Sequence, residues 1–204
     1  MYWPILCFIA AGFVSGSVLY SMVLPRWIKG IDIVAVSDDH NPGTTNAMKY
    51  AGKLVGSLCL LCDMGKAFLP VWIAAQFLPV GSLPFAFVMA APIVGHAFSP
   101  MLRGRGGKAI AATFGALLGI LPTWSPLAIL AALYIFFSAV VIIRPHRLRT
   151  IWVFVLFAAG CVFFCQTASI VVGCVIISAV VLCKHLSPGP EEVRECVILG
   201  RKIR

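Results

Sequence analysis

A succession of long apolar segments constrains the fold of this chain more than any other feature. These segments cover residues 4–24, 54–78, 85–102, 109–121, 126–143 and 150–183. Only 11% of the 204 residues are charged, whereas a soluble domain carries about a quarter. A helix crosses a bilayer with about 20 apolar residues, and 150–183 is long enough for two helices that meet near Gln166. We therefore predict an all-α polytopic membrane protein with about seven transmembrane helices; only 109–121 is short enough to allow a re-entrant helix instead.

The positions of the basic residues predict the orientation of these helices. With seven spans, every Lys and Arg except the intramembrane Lys66 lies on the same side as the C-terminus. The loops 79–84 and 122–126 and the connection at Gln166, which lie on the other side, carry none. Loops rich in Lys and Arg stay in the cytoplasm, so we predict an external N-terminus and a cytoplasmic C-terminus. The chain is then a single integral membrane domain over 1–204, with a cytoplasmic tail from about residue 184.

Charge and cysteine content narrow the range of partners. The net charge of +9 is spread over the loops one at a time, which favours membrane lipid or a phosphorylated substrate and not nucleic acid. Cys59 and Cys62 have the spacing of metal ligands, but no second Cys or His pair lies nearby in the sequence. We therefore predict that these thiols are small core residues and that the chain holds no metal.

The loop before residue 109 is the strongest candidate for an anion site. Gly106 and Gly107 allow backbone N–H groups to turn inward, and a helix that begins after them adds its positive dipole end. Arg103, Arg105 and Lys108 add positive charge, which favours phosphate at the membrane surface. The alternative is a loop whose basic residues only fix the topology.

One residue just before this loop is a candidate for the chemistry. His96 ends an apolar segment, where a histidine ordinarily packs with a hydrogen-bond partner. Beside a phosphate-binding loop it becomes the best candidate to deprotonate or orient a substrate. The motif of a nucleotide-hydrolysing loop is not matched, because Leu102 and Ala109 stand where that motif requires Gly and Ser or Thr.

A second polar stretch, S-D-D-H-N-P-G-T-T-N at 37–46, continues to Lys49 and precedes an apolar segment. Asn41-Pro42-Gly43 predicts a tight turn, and Thr45 or Asn46 is expected to cap the next helix. An ordinary solvated loop is the alternative. Against it, many hydrogen-bonding groups are concentrated at the membrane surface of a chain with few polar residues elsewhere.

Asp63 and Lys66 lie within an apolar segment. They are three residues apart on one helix face and therefore close enough to pair. Ionisable residues within a membrane span are costly, so they indicate a functional site. An internal ion pair that fixes helix packing is an equally open interpretation.

Three motifs together resemble the PlsY-type acyl-phosphate:glycerol-3-phosphate acyltransferase family. Gly95-His96-Ala97-Phe98-Ser99-Pro100, followed by Arg105-Gly106-Gly107-Lys108, is similar to one family signature. Asn41-x-Gly43-x-Thr45-Asn46 with Lys49 resembles the first family motif, and Asp63-x-x-Lys66 resembles another. There are departures: Asp39 stands where the first motif usually has Ser, Ala67 replaces a Gly, Gly104 replaces an aromatic residue, and Pro188 stands where the last motif has Asn.

The resemblance implies a multi-pass enzyme of bacterial phospholipid biosynthesis in the inner (cytoplasmic) membrane. Such enzymes transfer an acyl chain from acyl phosphate to the sn-1 hydroxyl of glycerol 3-phosphate, giving lysophosphatidic acid and phosphate, without a cofactor or metal. The resemblance predicts His96, Lys108 and Asn46 as catalytic residues. It predicts substrate or phosphate binding by Asp39, Asn41, Gly43, Thr44, Thr45, Lys49, Asp63, Lys66, Ser99, Arg103, Arg105, Gly106 and Gly107.

The sequence leaves two other functional classes open. A small transporter or channel for an anionic solute would use the same basic loops together with Asp63 and Lys66. The seven predicted spans do not divide into halves, whereas many transporters contain an internal repeat. A non-catalytic membrane scaffold is the third class, and it leaves the Gly-Gly-Lys sequence beside His96 without a role.

Overall fold

The computed structural model describes residues 3–186, 195–198 and 201–203, which are mostly helical. The helices are α1 Trp3–Ser17, α2 Tyr20–Lys29, α3 Ile33–Val36, α4 Thr44–Ala51, α5 Lys53–Phe77, α6 Phe85–Ala97, α7 Ile110–Leu118, α8 Ser125–Ile135, α9 His146–Phe164 and α10 Ala168–Leu186. A 3₁₀ turn covers Pro100–Leu102, and a π-helical turn covers Phe136–Val140. The strands are β1 Val141–Arg144, β2 Glu195–Ile198 and β3 Arg201–Ile203.

Within the described residues, five helical stretches are long and apolar enough to cross a membrane. They are Trp3–Lys29, Lys53–Phe77, Phe85–Leu102, His146–Phe164 and Ala168–Leu186. The run 150–183 divides as expected, between α9 and α10. The predicted segment 109–121 forms the shorter α7, of nine residues, and Ser125–Val140 is also short. The count of seven spans and the orientation of the termini therefore stay predictions.

Two boundaries differ from those expected. The first apolar segment continues as α2 as far as Lys29. Gly30, at φ 68°, closes the last turn: its N–H donates to the Arg26 carbonyl, and the Ile31 N–H donates to the Pro25 carbonyl. The segment 126–143 does not remain helical to its end, because β1 pairs antiparallel with β2 and β2 pairs with β3. This small sheet corrects the all-α prediction. The apolar run gave no sign of it because the partner strands come from the distant tail.

Small residues bring α6 into the centre of the helix bundle. α6 is buried along most of its length and contacts α1, α10 and α7. A Cβ atom added to Gly95 would lie 2.2 Å from the carbonyl oxygen of Phe13, and one added to Gly16 would lie 2.1 Å from that of Pro92. The α1 and α6 backbones therefore touch directly. Small residues allow such close packing between membrane helices.

A buried network of polar groups joins the helices around α5. Lys66 Nζ lies 2.7 Å from Asp63 Oδ1, and both side chains are almost inaccessible to solvent. The Ser21 hydroxyl of α2 donates to Asp63 Oδ2 over 2.6 Å. Lys66 Nζ also donates to the carbonyl oxygen of Val18, at the break between α1 and α2.

The same ammonium reaches α6. Lys66 Nζ lies 2.8 Å from His96 Nδ1, and Asp63 Oδ1 lies 3.9 Å from that nitrogen. An ammonium can only donate, so Nδ1 accepts and the ring proton of a neutral His96 is on Nε2. The ion pair thus confirms the predicted pairing of Asp63 and Lys66 and ties α2, α5 and α6 to one another.

We predict that Gly95→Ala separates α1 from α6. The added methyl group meets backbone atoms that cannot rotate away, so we expect a loss of about 2 kcal/mol, measured by thermal unfolding in detergent. Gly65→Ala is the matched control, since nothing lies within 4 Å of a Cβ there. It should leave stability within about 1 kcal/mol of the parent. Equal midpoints for the two variants would contradict direct backbone packing at Gly95.

We also predict that Lys66→Met destabilises the fold by about 3–5 kcal/mol, because it leaves the Asp63 carboxylate buried without its cation. The measurement is chemical or thermal unfolding in detergent. The control is the double variant Asp63→Leu with Lys66→Met, which removes both charges and should recover much of the loss. A single variant as stable as the parent would show that the pair does not hold the helices together.

Candidate active site

The two polar loops predicted from the sequence meet at the Asp39 carboxylate. Lys108 Nζ lies 2.7 Å from Asp39 Oδ2, although the two residues are far apart in the chain. Asn46 Nδ2 donates to Asp39 Oδ1 over 2.8 Å, and the backbone N–H of Asn41 donates to the same oxygen over 3.3 Å. The side chains of Asp39 and Lys108 are each about one-third exposed, at 32%. A cation, an amide and a backbone N–H therefore converge on one accessible anion.

The turn before Lys108 is packed onto His96. The N–H of Gly107 donates to the His96 carbonyl oxygen over 3.0 Å. A Cβ atom on Gly106 would lie 1.9 Å from that oxygen, and one on Gly107 would lie 2.2 Å from His96 Nε2. Only glycine fits at these two positions. The expectation that both N–H groups face an anion is corrected for Gly107, whose N–H is satisfied within the protein.

His96 connects this turn to the buried network. Its imidazole is 4% exposed, with Nδ1 on Lys66 and Nε2 beside Gly107. Ser99 is also buried: its hydroxyl donates to the Ser17 carbonyl over 2.6 Å and accepts from the Met101 N–H. Ser99 therefore anchors the start of the 3₁₀ turn to α1.

Arg103 and Arg105 lie on the exposed side of the same loop. Together with Val34, His40, Met101 and Leu102 they line an open groove of about 540 Å³. Arg103 adopts a left-handed conformation at φ 51°, which ends the 3₁₀ turn. The groove combines apolar walls with two guanidinium groups. Such a surface suits an amphiphilic anion.

The 37–46 loop is built differently from the predicted capped turn. Gly43, and not Thr45 or Asn46, is the N-cap of α4, and no side chain caps this helix. The Asn46 amide instead donates to Asp39 and, over 2.9 Å, to the Asn41 carbonyl. A Cβ atom on Gly43 would lie 2.4 Å from Asn41 Nδ2. The Asn46 side chain therefore stabilises the loop itself and does not cap α4.

The side chains of the two threonines, Thr44 and Thr45, lie in different environments. The hydroxyl of Thr44 lies 3.4 Å from that of Ser21 and so approaches the buried network. Thr45 is exposed on α4. The loop and the Asp63–Lys66 pair are therefore linked through Ser21, which sequence analysis did not single out. A serine near the end of an apolar segment gave no specific signal.

Lys49 forms a separate pair outside the Lys108 cluster. Its ammonium lies 2.9 Å from Asp38 Oδ2, which also accepts from the Tyr50 hydroxyl. Hydrogen bonds from Lys49 and Tyr50 lower the pKa of Asp38, and hydrogen bonds with Tyr50 and Asp38 raise the pKa of Lys49. Asp38 was not predicted as a site residue, although its place beside Asp39 was a usable signal.

The charge state of Asp39 follows from its contacts. Partial burial by itself raises the pKa of this carboxyl, but the hydrogen bonds from Lys108 and Asn46 outweigh it and bring the pKa below its ordinary value. Asp39 is therefore ionised at neutral pH. Its negative charge balances the positive charge of Lys108.

Three further observations concern residues outside the Asp39 cluster. Arg147 of α9 donates to the carbonyl groups of His185 and Leu186 and so closes the end of α10; neither Arg147 nor His185 was predicted as a site residue. Among residues 3–186, 195–198 and 201–203, no three His, Cys, Asp or Glu side chains are placed to share a metal ion. The departure at Pro188 lies outside the described residues.

Comparison with known proteins identifies the family of this chain. A family model described as glycerol-3-phosphate acyltransferase matches residues 6–189. The glycerol-3-phosphate acyltransferase of Thermotoga petrophila is 39% identical over 104 residues, which are 51% of this chain and 52% of that protein. The Myxococcus xanthus protein of the same name is 33% identical over 140 residues, 69% of this chain and 70% of that protein. The chain thus spans about half the length of the first of these relatives and more of the second.

The fold is similar to that of a solved membrane protein. Crystal structures of PlsY, an integral membrane glycerol 3-phosphate acyltransferase, match in a glycerol 3-phosphate form and in a lysophosphatidic acid form. The first has a TM-score of 0.77 at 23% identity and covers 89% of this chain and 88% of that one. The second has a TM-score of 0.74 at 22% identity, covering 90% and 88%. With the family match over most of its length, the chain belongs to the glycerol-3-phosphate acyltransferase family.

Proposed function

We propose that this protein transfers an acyl chain from acyl phosphate to the sn-1 hydroxyl of glycerol 3-phosphate. The products are lysophosphatidic acid and inorganic phosphate, which places the reaction in phospholipid biosynthesis. The observation that carries the proposal is the convergence of Lys108 and Asn46, from two separate loops, on one anion. An ammonium and an amide in this arrangement are suited to the oxygen atoms of a phosphate.

The reaction needs no nucleophile from the protein. The hydroxyl oxygen of glycerol 3-phosphate attacks the carbonyl carbon of acyl phosphate, and the bond between that carbon and the bridging oxygen breaks. Phosphate leaves with the electron pair and takes up the hydroxyl proton, so that it departs as hydrogen phosphate. Negative charge grows on the carbonyl oxygen and then on the leaving phosphate. Lys108 and Asn46 stabilise this charge, which is the contribution that preorganised donors make in acyl transfer.

The groove beside the site is the proposed entry for the donor. Acyl phosphate joins a hydrocarbon chain to an anionic head group. Arg103 and Arg105 would contact the head group, and the apolar walls at Val34, Met101 and Leu102 would contact the chain. We assign Thr45 and Lys49, which are exposed on α4, to the second substrate phosphate.

We assign His96 an orienting role in place of proton abstraction. Its Nδ1 is engaged by Lys66, and its Nε2 carries the proton and faces the Gly107 backbone. Through these contacts His96 holds the Gly106–Gly107 turn and hence the position of Lys108. Asp63 and Lys66 are also positioning residues, because Lys66 holds the imidazole at Nδ1 and Asp63 holds Lys66.

The proposed site faces the cytoplasm. The loops that carry Asp39 and Lys108 lie on one face, and seven crossings with an external N-terminus put that face in the cytoplasm. The two shorter helices, α7 and the Ser125–Val140 stretch, would then complete the crossings. A multi-pass protein of the bacterial inner membrane is the expected setting, with membrane lipid around exposed side chains such as Leu61 and Phe163.

The first test is the identity of the acyl donor. Purified protein in detergent should form lysophosphatidic acid and release phosphate when given acyl phosphate and glycerol 3-phosphate. It should form no product with acyl-CoA in place of acyl phosphate. Turnover with acyl-CoA alone would overturn the proposed donor. Movement of glycerol 3-phosphate across sealed vesicles, with no transfer in detergent, would identify a transporter.

Lys108→Met should lower kcat/KM by a factor of about 100–1000, because it removes the charge that stabilises the transition state. Transfer rates are measured with both substrates, and thermal unfolding confirms that the variant is folded. Lys53→Met is the matched control, since Lys53 is an exposed lysine at the start of α5 and lies outside the site. Transfer by Lys108→Met at the rate of this control would exclude Lys108 from the reaction.

A further inference from the structure

The Asp39 carboxylate makes the contacts that the proposed function assigns to a phosphate. Lys108 Nζ, Asn46 Nδ2 and the Asn41 N–H all donate to it, over 2.7, 2.8 and 3.3 Å. A carboxylate and a phosphate are both oxygen anions and use the same donors. An anion does not bind an anion, so Asp39 and a substrate phosphate cannot share this position.

The Asp39 side chain is able to move away from Lys108 and Asn46. Its side chain is about one-third exposed and sits on the short connection between α3 and α4, not within a helix. Its contacts with Lys108 and Asn46 are side-chain contacts, so they break without unfolding a helix. By contrast, the buried Asp63 carboxylate is held by Lys66 and Ser21 deep in the bundle.

We propose that Asp39 is an internal anion that fills the phosphate position of the free protein and is displaced when a phosphomonoester binds. This inference rests on the assignment of Lys108 and Asn46 to phosphate in the proposed function. It changes the role predicted for Asp39 from a phosphate ligand to a residue that sets phosphate affinity. Because the ion pair must open before phosphate binds, Asp39 weakens binding and raises the concentration of anionic substrate that is needed.

The neighbouring acidic residues allow a discriminating comparison. Asp39→Asn keeps the shape of the side chain and an oxygen that accepts from Asn46 and Asn41, but it loses the negative charge. Asp32→Asn removes the same charge from the N-cap of α3, where Asp32 accepts from the Val34 and Ala35 N–H groups. Asparagine caps a helix as well as aspartate does, so this control separates the charge at one position from the net charge of the loop.

The experiment measures binding of inorganic phosphate to the full-length protein in detergent by isothermal titration calorimetry. We expect Asp39→Asn to bind phosphate about fivefold more tightly than the parent, the factor expected when a partly exposed ion pair no longer competes. Asp32→Asn should stay within about twofold of the parent. Asp39→Ser, which removes the charge with a smaller side chain, should also bind more tightly and replaces Asp39→Asn if that variant does not fold.

The outcomes separate this inference from the proposed function. Weaker, equal or unmeasurable phosphate binding by the Asp39 variants overturns the inference, as does an equal gain in Asp32→Asn. Tighter binding confined to the Asp39 variants supports it even if the protein transfers no acyl group. In an active protein the same variants should show a lower KM for the substrate whose phosphate uses this position, which distinguishes glycerol 3-phosphate from acyl phosphate.

Discussion

The buried ion pair between Asp63 and Lys66 is the interaction on which the rest of this structure depends. Two charges removed from water are costly, and the cost is met here because each has further partners: Ser21 on the carboxylate, and Val18 and His96 on the ammonium. Ser21 lies on α2, Val18 at the break between α1 and α2, and His96 on α6. The pair therefore fixes how α2, α5 and α6 approach one another.

From this pair a chain of contacts leads outward to the surface. The backbone carbonyl and the ring of His96 contact Gly107, and this turn fixes the position of Lys108, two residues before α7 begins. On the other side, Ser21 approaches Thr44 at the start of α4. The two loops meet next to this network, so buried contacts between the helices position the donors around Asp39.

Several features could be read from the sequence with good reason. Apolar length located the five long helical stretches and the break before Ala168, because a span leaves a continuous apolar run. The three-residue spacing of Asp63 and Lys66 predicted their pairing, because it depends only on helix geometry. The Gly106-Gly107-Lys108 sequence and the 37–46 loop pointed to the family.

Other features depended on contacts between distant parts of the chain. Neither the strand β1, whose partners come from the tail, nor the contact between Asp39 and Lys108 leaves a periodic or local signal. The use of the Gly107 N–H by His96 likewise required two elements to pack together. The sequence by itself therefore determined the membrane class, the elements and the candidate residues, because these follow from local composition and spacing. Only the tertiary structure decided which donors face one another and which anion they hold, because that is fixed by long-range packing.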